Sequence, residues 1–159
     1  MNTIAIIILA AVIFDYTLKC LADFLNLSKL RNDLPEAFRG IYDPDRYQKS
    51  QQYLKANTRF GWATATFNIA VMLIFWFAKG FPLLDEWARS FHYSPVVTGL
   101  IYVGVLVLCK GLLSLPFSIY ATFVIEERFG FNQTNWTTFL TDLAKGLLLA
   151  ALLGAPLLA

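Results

Sequence analysis

Glu126, Glu127 and Arg128 close an otherwise hydrophobic run, Leu115 to Asn132, that ends in a Phe-Gly-Phe-Asn turn at Phe129 to Asn132. Neighbouring positions on a helix point about 100° apart, so the two carboxylates are not a ready-made acid–base dyad. The plain reading is a helix C-terminal flank salt-bridged by Arg128. The remaining inventory of reactive groups is thin. His92 is the single histidine, set between Phe91 and Tyr93, where an interfacial or packing role is expected. A zinc site needs three or four His, Cys or carboxylate ligands around one point, and neither HExxH nor CxxC occurs in these residues. With no nucleophile–base pair and no Gly-rich phosphate loop, the chain on its own is not expected to be a hydrolase. Cys20 and Cys109 lie far apart in apolar segments and read as buried free thiols rather than a disulfide framework.

The elements that carry these groups are membrane-grade. The chain is 57% hydrophobic and 16% aromatic, with a mean hydropathy of +0.55, whereas soluble domains are about 45–50% apolar. A net charge of +2 and the lack of a long basic run exclude nucleic acid as an expected partner. A bilayer core of about 30 Å needs roughly 20 apolar residues per helix, and four stretches qualify. The first runs from about Thr3 to Leu27. It has no positively charged n-region, and Asp15 and Lys19 interrupt the cleavage zone, so it is expected to be a retained helix rather than a signal peptide.

Asp15, Lys19 and Asp23 recur every fourth residue and share one face, where Asp15 and Lys19 can pair. Each ionised group at mid-bilayer costs about 2.5–3.5 kcal/mol on insertion scales. That cost favours either a polar, water-filled interior or an inner half already at the interface.

Asn26 to Arg59 is polar, with seven Lys/Arg and four acids. Asp33-Leu34-Pro35-Glu36 predicts a capped short helix ending near Gly40. Asp43-Pro44 predicts a second start, Asp as N-cap and Pro at the first helical position, running on into the next span. That span, Phe60 to Ala78, holds 19 uncharged residues with Trp62 and Trp76 as interfacial anchors. Gly80 to Pro95 is a connection with a turn or two of helix around Leu83 to Phe91, and its Trp87, Phe91 and Tyr93 suit the membrane interface. A third helix from Pro95 to Ile125 would be about 46 Å long, so it must tilt, kink at Pro116 or project. Lys110 then lies within the membrane, with Asp15 or Asp142 as candidate partners. The fourth span starts near Asn135, passes Asp142 and Lys145, and stops at Ala159 with no polar flank, as a fragment would.

The run Leu115 to Asn132, of the form LPxSxYxTFVIEExxGFN, resembles the N-terminal membrane domain of the type I CAAX prenyl proteases, integral-membrane zinc endopeptidases. A second block is similar in the right order: Pro35 to Phe38, Tyr42 to Tyr47, Lys49 to Gln51 and Thr58 to Gly61. The resemblance covers essentially residues 1–159 as one transmembrane domain, and the family's HExxH is missing from it. It implies an all-α polytopic domain of about four transmembrane helices with a helical cytoplasmic loop. Zinc is expected in the intact protein but in no residue of this chain.

The implied partners are the lipid bilayer, a downstream zinc-protease domain and a peptide or prenylated-protein substrate. The resemblance further implies that one of Glu126 and Glu127 faces the catalytic domain, with Arg128 and Asn132 as further candidates to face it or the chamber, and it makes Asp15, Lys19, Lys110, Asp142 and Lys145 candidates to line an intramembrane chamber. The competing class is a non-enzymatic membrane scaffold or transport accessory protein.

Orientation follows from charge. Seven basic residues in Asn26–Arg59 against two in Lys79–Pro95 place the first loop in the cytoplasm and the N-terminus outside. The sequons at Asn132 and Asn135 then fall on the cytoplasmic side as chance matches.

Overall fold

The computed structural model describes residues 3–30, 34, 40, 41 and 43–158. Five α-helices follow in order: α1 (Thr3–Lys29), α2 (Pro44–Phe77), α3 (Gly80–Arg89), α4 (Pro95–Tyr120) and α5 (Trp136–Leu158), with a π-helical segment at Ala121–Glu126. Four are long and apolar enough to cross a membrane: Thr3–Lys29, Pro44–Phe77, Pro95–Glu126 and Trp136–Leu157. The short helix expected to end at Gly40 falls largely outside the described residues.

The chain divides into two compact units. The first holds Met1–Val71 with Ile125–Gly130. On α1 the better-shielded side chains Val12, Tyr16, Cys20, Asp23 and Leu27 recur three or four residues apart, the spacing of one helix face. From that face the Tyr16 hydroxyl and the Thr66 hydroxyl of α2 share a 2.7 Å hydrogen bond. The start of α2 is the one its sequence dictates. Asp43 Oδ1 accepts the Asp45 N–H at 2.9 Å, and Pro44 fills the first helical position, where no N–H is needed. The helix then runs 34 residues without a break into the second span.

The second unit holds Met72–Val124 with Phe131–Ala159. Its chain reverses at Lys79, in the left-handed region at φ 58°, before α3. At Gly80 a Cβ would overlap the Phe75 ring. Phe75 is itself held edge-on by Phe81, with centroids 4.8 Å apart. At the far end of α3, His92 adopts φ 57° and donates its N–H to the Arg89 carbonyl at 3.0 Å. Ser94 then opens α4, its hydroxyl accepting the Val97 N–H at 3.5 Å, with Pro95 at the first position. Helix α3 packs on α4, and α4 on α5. Phe123 stacks on Trp136 at 4.1 Å and meets Phe139 edge-on.

Burial runs opposite to that of a soluble domain. Among the described residues only Leu34, Ala88, Ile125 and Phe129 are buried hydrophobics, while Ile7 is 62% and Leu148 71% exposed. Faces this apolar and this open belong against lipid. The thiols follow suit: Cys20 is only partly buried and Cys109 is exposed, which corrects the expectation of buried thiols, because the outer surface of a span is itself the apolar environment. Trp62 also departs from expectation. Its indole N–H is shielded and has no acceptor among the described residues, whereas an interfacial anchor presents that group to the polar boundary.

Candidate functional site

The carboxylate cluster emerges from an irregular stretch of helix. Pro116 lies inside α4, where it offers no N–H to the turn before it. One turn later the backbone widens into the π-helical segment Ala121–Glu126, a local form that adds a residue to the turn. Ile125 and Phe129, four apart, then turn inward and are 7% and 8% exposed. Glu126 is half-buried, and Glu127 and Arg128 are exposed. The two carboxylates therefore do point apart.

Phe129 is the anchor. Its ring meets Tyr53 of α2 edge-on, centroids 5.7 Å apart at 72°, a favoured aromatic geometry. The Arg128 guanidinium lies 5.7 Å from the same ring's centroid, within cation–π range. Among the described residues Arg128 makes no ion pair with Glu126 or Glu127, so the expected salt bridge is replaced by this stacking. Gly130 turns the chain at φ +64°, and a Cβ there would sit 3.2 Å from the Lys49 ammonium. Lys49 and Tyr53 are not among the residues expected to form this site. Their spacing of four on α2 is the signal that points to them.

Asn132 and Asn135, in the second unit, have structural work. Asn132 Oδ1 accepts the Thr134 N–H at 2.7 Å, and Asn135 Oδ1 accepts the Thr138 N–H at 2.7 Å as the N-cap of α5.

The five span charges expected to line a chamber lie on open helix surfaces: Asp15, Lys19, Lys110, Asp142 and Lys145 are exposed. Asp15 and Lys19 do not pair with each other, since no ion pair joins them among the described residues. Lys110 donates to Ser114 one turn on, at 3.3 Å, and Asp142 faces Lys145 at 3.7 Å. Asp23, on the shielded side of α1, lines a cavity of about 340 Å³ with Asn26, Lys29, Leu54 and Thr58. Among the described residues no group of three or more His, Cys, Asp and Glu side chains could hold a metal ion. The donor set that zinc requires is thus not met by them.

Long apolar helices, lipid-grade outer faces and a buried Phe129 anchor define a polytopic α-helical membrane domain. The family model for the CAAX prenyl protease N-terminal region, described as five membrane helices, matches residues 23–159. The chain belongs to this family. It is 33% identical over 135 residues to CAAX prenyl protease 1 of Saccharomyces cerevisiae, covering 79% of this chain and 30% of that protein. It is 34% identical over 137 residues to a probable CAAX prenyl protease 1 of Schizosaccharomyces pombe, covering 78% and 29%. The crystal structure of S. mikatae Ste24p superposes with a TM-score of 0.84 at 29% identity, covering 99% of this chain and 38% of that one. The chain therefore spans less than a third of the length of each of these two curated relatives.

Proposed function

We propose that this chain walls an intramembrane chamber in which a zinc-protease domain, supplied by residues beyond these, cleaves the C-terminal peptides of proteins, with or without a prenylated cysteine. The observation that carries the proposal is the exposure of Asp15, Lys19, Lys110, Asp142 and Lys145 on membrane-length helices. At mid-bilayer each ionised group facing lipid costs about 2.5–3.5 kcal/mol. Water or protein facing those surfaces removes the cost. In this reading Glu126, Glu127, Arg128 and Asn132 present the Phe129-anchored turn to the catalytic domain. Zinc in that domain would supply an activated water for peptide hydrolysis. The residues here shape the space, hold the substrate's path wet and exclude lipid.

The orientation that fits has the N-terminus outside and the Asn26–Arg59 loop in the cytoplasm, from its seven basic residues. Reading the source gene past the codon for Ala159 tests the protease reading. The expected result is an in-frame continuation with further hydrophobic spans and an HExxH motif. A stop codon there would overturn it in favour of a non-enzymatic membrane module.

A further inference from the structure

Helix α3 joins two membrane-spanning helices, and its surface is graded in a way that the chamber reading does not use. Only Ala78 and Lys79 separate α2 from α3, and five residues separate α3 from α4, so α3 lies at the boundary of the bilayer. One side packs inward, with Gly80 and Ala88 buried and Phe81 held by Phe75 and Trp76. The adjoining arc is polar. There Arg89 Nε donates to Asp85 Oδ2 at 2.7 Å, and that bond and charge hold the guanidinium pKa above its ordinary value.

On the side of α3 away from this ion pair lies an apolar flank that is largely open among the described residues. Leu83 and Trp87, four apart, are 59% and 47% exposed, and Phe91 and Tyr93 continue the strip at 45% and 59%. The aromatic rings order one another, Trp87 edge-on to Phe91 at 5.0 Å and Phe91 stacked with Tyr93 at 6.1 Å. Large rings with polar edges, set opposite an ion-paired face at the end of a span, match the headgroup–acyl boundary of a bilayer.

We infer that α3 is an interfacial helix whose Leu83–Trp87–Phe91–Tyr93 flank is seated in the lipid of one leaflet, with Asp85 and Arg89 in the headgroup water. The partner is the phospholipid interface itself. Lys79 and His92, both in the left-handed region, turn the chain at the two ends of α3.

Nitroxide labels test this. Leu83→Cys, Trp87→Cys, Asp85→Cys and Arg89→Cys are made singly in a background lacking Cys20 and Cys109. Each is reconstituted as the whole chain in phosphatidylcholine–phosphatidylglycerol vesicles. Collision with oxygen, which concentrates in lipid, is compared with collision with a water-soluble nickel chelate. Labels at 83 and 87 should lie about 5–10 Å below the headgroup boundary, with those at 85 and 89 above it. Nickel access at 83 and 87 equal to that at 85 and 89 would overturn the inference. So would shielding of 83 and 87 from both reagents, which would mean that protein covers the flank. Leu83→Cys keeps the test decisive if loss of the Trp87 ring disturbs the helix.

Discussion

Gly130 offers the cleanest quantitative test of how the carboxylate-bearing turn is built. Its φ of +64° lies where a side chain is disfavoured, and an added Cβ would meet the Lys49 ammonium at 3.2 Å. The backbone term for a left-handed L-residue is roughly 1–2 kcal/mol. The steric term is smaller, because the obstructing atom is the tip of a flexible lysine. Gly130→Ala should therefore destabilise the first unit by about 1–2 kcal/mol. For cooperative unfolding of the 159-residue chain that corresponds to a fall of about 2–8 °C in melting temperature.

Gly130→Asn should cost less than Gly130→Ala despite its larger side chain, since asparagine tolerates this conformation. Combining Gly130→Ala with Lys49→Ala should recover only the minor steric share beyond the effect of Lys49→Ala alone. The assay is thermal unfolding in one detergent at one scan rate, followed by helical circular dichroism, because melting temperatures of such proteins depend on rate. Gly130→Ala melting with the parent chain, or Gly130→Asn melting below Gly130→Ala, would refute the backbone argument.

Gly80→Ala should cost about 1–3 kcal/mol through overpacking against the Phe75 ring, and the companion change Phe75→Leu should soften that loss in the same melting assay. Asn135→Ala should lower stability by about 0.5–2 kcal/mol through loss of the α5 cap, with Asn135→Ser close to the parent. For orientation, Ser50→Cys in a Cys20- and Cys109-free background should react with a membrane-impermeant maleimide only after cells are permeabilised. Ser90→Cys should stay unreacted when the reagent is admitted to the cytoplasmic face alone, and the reverse pattern would invert the topology.

Features that depend on a single stretch of chain are legible in the residues themselves. Asp43 and Pro44 carry their helix start in their own chemistry, and the 34-residue α2 follows from it. Hydropathy alone marks the four spans, since lipid demands length and apolarity and little else. The charged stripe on α1 is readable as a stripe. Its partners are not, because the Asp15–Lys19 pair that the spacing allows is not made among the described residues, and the bond from α1 to α2 is carried by Tyr16.

The Arg128 contact is hidden for a related reason. Sequence adjacency favours a carboxylate, but the buried Phe129 ring held by Tyr53 supplies a fixed face for the guanidinium. The π-helical segment has no distinct residue signature. It reflects which carbonyl a few N–H groups choose after Pro116, a choice made by packing rather than by propensity.

Whether these helices wall a wet chamber is decided by the water accessibility of the five charged positions in the membrane-inserted protein. Single cysteines replace Asp15, Lys19, Lys110, Asp142 and Lys145 in turn, with Ile7→Cys and Leu148→Cys as lipid-facing references. A small water-soluble thiol reagent is then applied under native conditions. A chamber wall predicts reaction at the five positions well above that at the two references. Uniform inaccessibility, with all seven positions equally unreactive, would contradict it.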